Sequence, residues 1–239
     1  MKLPPQHYIS AACEEELSRH GDSFRGAGYT KSQQEADEIY DVMLDVILAT
    51  EGAVTLLDLG CGLAHLLDHI QADPKRQNLR YAGLDISEKY LAAAKQRHPE
   101  ATFLQMDVLK TDEGLPQYDY IVMNGLFNYR GEVNQPEMMR YWQQMVSVAY
   151  KHCRRGIAFN VMSKIVGWER DDLFHLPFDS MAHFVASRVS RHFVIRHDYR
   201  AYEYTTYVYP SPNPSGERRI DVSVRSTTDA GGNIGSSRD

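Results

Sequence analysis

Cysteine is scarce in this chain. Cys13, Cys61 and Cys153 are the only three in 239 residues, and their spacing fits no metal site. A disulfide framework is therefore not expected, and free thiols in a reducing cytoplasm are. Basic residues are also in deficit: 26 Lys and Arg stand against 32 Asp and Glu, a formal charge of −6. That balance disfavours a general nucleic-acid or anionic-membrane surface as partner. Apolar runs of membrane-spanning length are missing, and no apolar signal region follows Met1-Lys2-Leu3-Pro4-Pro5. No internal repeat and no metal-ligating cluster is apparent. What remains is ordinary globular composition, 43% hydrophobic and 24% charged, enough for one large α/β domain.

The most informative stretch is Val54 to Ala64. Val54-Thr55-Leu56-Leu57-Asp58 reads as a buried parallel strand. It runs into Gly60-x-Gly62-x-Ala64, after which Leu63, Leu66, Leu67 and Ile70 recur at helical spacing. Glycines in such a turn let the backbone bend sharply and let a ligand approach it. Asp58, two residues before the first glycine, would repel a phosphate and suit a ligand carrying positive charge, such as an ammonium or sulfonium. Two further strands, Tyr81 to Ile86 and Thr102 to Asp107, also end in acids, Asp85 and Asp107. Three successive strands ending in Asp at one rim form a more specific pattern than any one of them.

Asp58-x-Gly60-x-Gly62, Asp85 and Asp107-Val108 resemble the cofactor motifs of class I S-adenosylmethionine-dependent methyltransferases. The resemblance covers roughly residues 20–209 and departs from the family mainly at Ala64, where a third glycine is common. It implies a Rossmann-like α/β fold: a seven-stranded sheet of order 3-2-1-4-5-7-6, strand seven antiparallel, with helices on both faces. By the same resemblance, S-adenosylmethionine is the cofactor. Asp58, Gly60, Cys61 and Gly62 would line its methionyl end, Asp85 with Ile86 its ribose, and Asp107 with Val108 its adenine. An N-terminal helical lid over residues 1–50 would cover it, bringing Tyr8 and Tyr29 close, unless those rings only pack a helix against the sheet edge. Relatives often place an arginine early in the long lid helix; Gln34-Glu35-Ala36-Asp37 stands here, leaving Arg25 or Lys31 to meet the cofactor carboxylate.

The remaining elements follow in order within a domain of residues 51–209. A helix from about Ser32 carries Ile39, Met43, Val46 and Ile47 on one face. Ser87 caps a helix that ends near His98-Pro99. Strand four, Tyr118 to Met123, leads into Asn124-Gly125-Leu126-Phe127-Asn128-Tyr129-Arg130, the family's acceptor-facing position. It lacks the prolines common in enzymes that methylate exocyclic or amide nitrogens. Pro136 opens a helix with Met139, Trp142, Met145, Val146 and Ala149 as its core face. Strand five spans Gly156 to Met162; an aperiodic insertion, Ser163 to Asp179, precedes another helix. Strands over His192–Tyr199 and Tyr202–Tyr209, joined by a tight turn, close the sheet. Their ending resembles methyltransferases of small-molecule and polysaccharide biosynthesis. Residues 210–239, rich in Pro, Ser and Gly, read as a flexible tail.

The function expected is methyl transfer to an oxygen or nitrogen of a small-molecule acceptor of natural-product or sugar type. Asn124 belongs to the cofactor side and Asn128, Tyr129, Arg170 and Tyr204 to the substrate side. His175, among Phe174, Leu176, Pro177 and Phe178, is a candidate general base, or else a histidine that pins its loop to a carbonyl. Two other classes stay open: a cofactor-binding regulatory subunit and an NAD(P)-dependent oxidoreductase. The missing second βαβαβ half and the position of Asp58 weigh against the latter.

Overall fold

A computed structural model describes residues 3–23, 25–26, 32–48 and 52–212. Tyr29, Lys31 and positions 213–239 of the expected tail lie outside them. The chain starts with α1 (Pro5–His20), whose prolines at the entry lack an N–H the helix would leave unpaired anyway. Gly21, at φ +61°, ends it. Helix α2 (Gln33–Leu44) opens on a capping box in which Ser32 and Glu35 satisfy each other's backbone N–H groups. Then come β1 (Val54–Leu59), α3 (His65–Ala72), β2 (Leu79–Asp85), α4 (Glu88–Arg97), β3 (Thr102–Gln105) and β4 (Tyr118–Met123). Helix α5 (Gln135–Lys151), β5 (Cys153–Ser163), a two-residue β6 (His175–Leu176) and α6 (Phe178–Phe184) follow. The last helix runs on into a wider π turn at Val185–Val189 before β7 (His192–Arg196) and β8 (Glu203–Tyr209).

The sheet order is β3-β2-β1-β4-β5-β8-β7, with β6 added beside β5. All pairs are parallel except those of β8, antiparallel to both β5 and β7. This is the expected order once the short β6 is counted. Alternation divides the core. Leu57, Leu59, Ile121, Ile157 and Phe159 meet α5 and α6, while Val54, Leu56, Tyr120 and Val122 meet α2 and α3. Helix α4 shares the second face, with Ala94 against Ala64 and Leu67.

Several expectations need correction. Helix α2 is a core helix, with Ala36, Ile39, Tyr40, Val42, Met43 and Leu44 buried on the sheet. Helix α1, which buries only Ile9, meets the rim acids instead, through Gln6 and His7 on Asp107 and Glu14 on Ser87. Strand five is longer than expected, and the expected tight turn between the last strands is a six-residue connection, 197–202. On α5, Trp142, Met145, Val146 and Ala149 are buried as expected, joined by Met138 and Tyr141, while Met139 is only half-buried. Phe127 faces the core and not an acceptor: it is fully buried, edge-on to Tyr141 and Phe159.

Candidate active site

Adjacent parallel strands β1, β2 and β3 bring Asp58, Asp85 and Asp107 to one rim, the carboxyl ends of the sheet. Asp58 is 3% exposed and accepts a hydrogen bond from the Tyr81 hydroxyl at 2.9 Å. Burial pushes its carboxyl up to about 7; the Tyr81 hydrogen bond opposes that shift, and the charge of Asp85 adds to it. The loop beyond is stitched to β2, since Gly60 and Cys61 both donate their N–H to the Leu84 carbonyl, at 2.7 and 3.0 Å. Gly60 has φ +83°, and a Cβ there would come within 2.8 Å of Leu126. Gly62, at φ +51°, donates its N–H to Asp85 Oδ2 at 2.9 Å. Ala64, fully buried before α3, holds φ +60°. The position where relatives place a third glycine is thus left-handed here, so this alanine carries strain as well as packing.

Asp85 accepts a second backbone bond from Ser87 N–H, 2.9 Å, and burial raises its pKa. Ser87 also caps α4, as expected, by accepting from Tyr90 N–H. Ile86, next along, is half-buried. Asp107 Oδ1 takes the N–H groups of Leu109 and Lys110, and its Oδ2 meets Gln6 Nε2 at 3.3 Å and His7 Nε2 at 3.0 Å. Val108 turns into the core beneath it. Cys61 fills the space over Gly83, where a Cβ would sit 2.8 Å from its sulfur. Burial and the nearby acids push its thiol well up, so it is no nucleophile.

Helix α1 spans these groups. Besides the Gln6 and His7 contacts, Glu14 accepts from Ser87 Oγ at 2.7 Å and pairs with Lys89 at 2.8 Å. Tyr90 donates to the carbonyls of Cys13 and Gly26. Tyr8 accepts from Glu132 N–H at 3.2 Å and, with Tyr129, crowds Gly131. Arg25 is exposed at the end of this segment.

The other half of the rim is built by β4, β5, β6 and β8. Asn124 Oδ1 accepts from Asn160 Nδ2 at 3.0 Å, and Asn160 Oδ1 accepts from Gly125 N–H at 2.7 Å. Glu203, 2% exposed, accepts from Asn160 Nδ2 at 3.0 Å and from Asn128 Nδ2 at 2.6 Å. His175, 3% exposed, has Nδ1 2.7 Å from the Ser163 carbonyl and its ring edge-on to Trp168. Asn128 and His175 are neighbours in space, for Phe174 N–H donates to the Asn128 carbonyl at 2.8 Å. Asn160 and Glu203 escaped the sequence reading. The available signal was a polar residue inside an otherwise apolar buried strand, which must find partners.

Two substrate-side expectations fall elsewhere. Tyr204 is fully buried on the opposite face of β8 from Glu203, and its hydroxyl donates to the Leu176 carbonyl. Arg170 is exposed and forks onto Asp172, two residues away. Tyr129 is half-buried and ties the β4 loop to Leu173 by a backbone bridge. No group of His, Cys, Asp and Glu among the described residues could hold a metal ion.

A family model described as a methyltransferase domain matches residues 57–156. The chain is 28% identical over 153 residues to "Putative methyltransferase Rv1506c" of Mycobacterium tuberculosis, covering 63% of this chain and 90% of that protein. It shares 26% identity over 119 residues with the uncharacterized protein RP028 of Rickettsia prowazekii, spanning 44% of that protein. Among solved structures, magnesium protoporphyrin IX methyltransferase of Synechocystis with bound SAH superposes with a TM-score of 0.61 at 16% identity, over 86% of this chain and 98% of that one. The DhpI–SAM–HEP complex gives 0.58 at 12% identity, over 87% and 99%. With its strand order, its reversed β8 and its row of acids, the chain has the fold of class I S-adenosylmethionine-dependent methyltransferases and resembles a methyltransferase domain over residues 57–156.

Proposed function

We propose that this protein methylates an oxygen or nitrogen of a small-molecule acceptor, of natural-product or sugar type, in the cytoplasm. The observation that carries this reading is the divided rim. Three carboxylates and the glycine loop occupy one half, and a buried polar cluster, Asn128, Asn160, His175 and Glu203, occupies the other. The first half fits the cofactor chemically. Asp58 with Gly60 and Gly62 would hold the positively charged methionyl end, Asp85 would accept from ribose hydroxyls, and Asp107 would sit beside the adenine. When bound, S-adenosylmethionine supplies a methyl group on a positively charged sulfur that leaves as a neutral thioether.

The second half supplies alignment and a proton acceptor. Holding two groups at contact distance can contribute on the order of 7–11 kcal/mol at best, and an in-line displacement at a sulfonium methyl needs alignment more than covalent help. A carbonyl oxygen can only accept, so the contact with Ser163 places the ring proton of His175 on Nδ1 and leaves Nε2 bare. His175 Nε2 would receive the proton of an acceptor hydroxyl; a neutral amine would not need it during transfer. The single hydrogen bond therefore serves both roles open to this histidine: one nitrogen pins the loop, the other is available. Exposed Trp168 and Tyr202, packed edge to face at 5.1 Å beside His175, offer an apolar wall at the mouth.

Calorimetry with S-adenosylhomocysteine, then mass spectrometry of products from a metabolite extract, tests the proposal. A protein that binds no S-adenosylhomocysteine overturns it. Methylation confined to protein or nucleic acid overturns the small-molecule part.

A further inference from the structure

Two buried polar atoms on the acceptor half have no hydrogen-bond partner among the described residues: Asn128 Oδ1 and His175 Nε2. Both are turned that way by their other contacts. Both carboxyl oxygens of Glu203 act as acceptors, and they draw the NH2 groups of Asn128 and Asn160 toward it. Asn160 then spends its oxygen on Gly125 N–H, which fixes the loop that carries Asn128. Asn128 is left with its oxygen pointing away from Glu203. On His175 the Ser163 carbonyl performs the same selection and leaves Nε2 as a lone-pair acceptor.

Sheet register brings the residues that carry or orient these two atoms to one stretch of the rim. His175 pairs with Met162 from one side of β5, and Glu203 pairs with the same Met162 from the other. Residues in register project from the same face, so His175 and Glu203 flank one residue about 10 Å apart, two strand spacings. Asn128 bridges that gap, with its side chain on Glu203 and its carbonyl on Phe174 N–H.

We propose that Asn128 Oδ1 and His175 Nε2 together bind the group to be methylated, and that this group is an alcohol or amine, never a carboxylate or phosphate. Glu203 is the positioning residue that sets their polarity. The inference rests on the methyltransferase reading and deepens it. Two buried acceptors cost free energy until a donor satisfies them, so an O–H or N–H group is recognised by what the pair lacks. A carboxylate would bring a further acceptor and a second negative charge beside Glu203.

The test uses the full chain, methyl-labelled S-adenosylmethionine and a bacterial metabolite extract, with S-adenosylhomocysteine affinity measured alongside. The labelled products should survive mild alkali, as ethers and methylamines do. Glu203→Gln turns one amide around, and Asn128→Asp adds a charge against Glu203; each should slow labelling about tenfold or more while cofactor affinity stays unchanged. The double variant should recover much of the rate, because the amide introduced at position 203 would donate to the carboxylate introduced at position 128, and an oxygen would again face the site. Alkali-labile methyl esters, single variants as active as the parent, or a double variant no better than the singles would overturn the assignment. So would the absence of any labelled product from a protein that binds S-adenosylhomocysteine; a protein that does not bind it fails at the methyltransferase reading first. Should the variants not fold, nitrogen-resolved NMR of the unmodified protein decides: His175 protonated on Nε2 and not Nδ1 also overturns the proposal.

Discussion

At the scale of single residues, Asp58 is the most consequential titratable group. Its folded pKa of about 7 lies above its ordinary 3.8 because it is buried. Between those values the unfolded chain has lost the proton that the folded chain keeps, so this group's contribution to stability falls as pH rises from about 4 to about 7. Asp58→Asn preserves shape without titrating. The stability of the parent relative to this variant should therefore drop with rising pH, by at most about 4 kcal/mol across the window, as denaturant unfolding at each pH will show. Ligand binding should run the other way. An ammonium favours the ionised carboxylate, so S-adenosylhomocysteine should bind the parent more tightly at pH 8 than at pH 6, and calorimetry on Asp58→Asn should show no such trend. Asp85→Ala should weaken the same ligand by about 1–3 kcal/mol, through loss of a charge-assisted acceptor for ribose hydroxyls. Unchanged affinity would remove Asp85 from the cofactor site. These acids were legible in the sequence because each ends its own strand, a relation contained in a few consecutive residues. Glu203 was not, because its partners Asn128 and Asn160 lie 75 and 43 positions away.

Among the helices of eight residues or more, α1 buries the fewest side chains. It has one buried residue, Ile9, and its ties to the rim are side-chain hydrogen bonds: Gln6 and His7 to Asp107, Glu14 to Ser87, Tyr8 to the Glu132 backbone. Segments with few buried apolar contacts open at low free-energy cost. Amide hydrogen exchange should therefore be faster in α1 than in α2 or α5, and S-adenosylhomocysteine should slow it. Exchange in α1 as slow as in α5, with or without ligand, would count against its acting as a cover. The sequence treated residues 1–50 as one lid, since both helices precede the first strand. Burial divides them: α2 turns six residues into the sheet, and α1 turns in one. At the start of α3, Ala64 stands where a third glycine is common in the family. Its left-handed φ makes Ala64→Gly a relief of about 1–2 kcal/mol of strain, offset by greater unfolded-state freedom and a lost methyl contact. A melting temperature unchanged or slightly raised is expected, where the same substitution inside a helix would lower it.

For the molecule as a whole, stability centres on the seam where β4, β5 and α5 meet. Phe159 on β5 is fully buried and edge-on to Trp142 and Phe127. Phe159→Ala should cost about 3–5 kcal/mol, seen as a lower urea midpoint with an unchanged slope. A loss below about 1 kcal/mol would mean the cavity collapses and the seam is softer than its packing indicates. The sequence by itself determined the class of the fold, the order of its elements and the three rim acids. Each of these rests on local chemistry: period-two or helical spacing, a glycine turn, an acid at a strand end. Tertiary structure decided that α1 and not α2 meets the rim acids, that His175 Nδ1 meets the Ser163 carbonyl, and that Asn128, Asn160 and Glu203 form one buried cluster. Those outcomes depend on hydrogen bonds between strands and loops far apart in the chain. A buried polar group takes whichever partner the packed sheet brings within about 3 Å, and no local pattern of residues encodes which one that is.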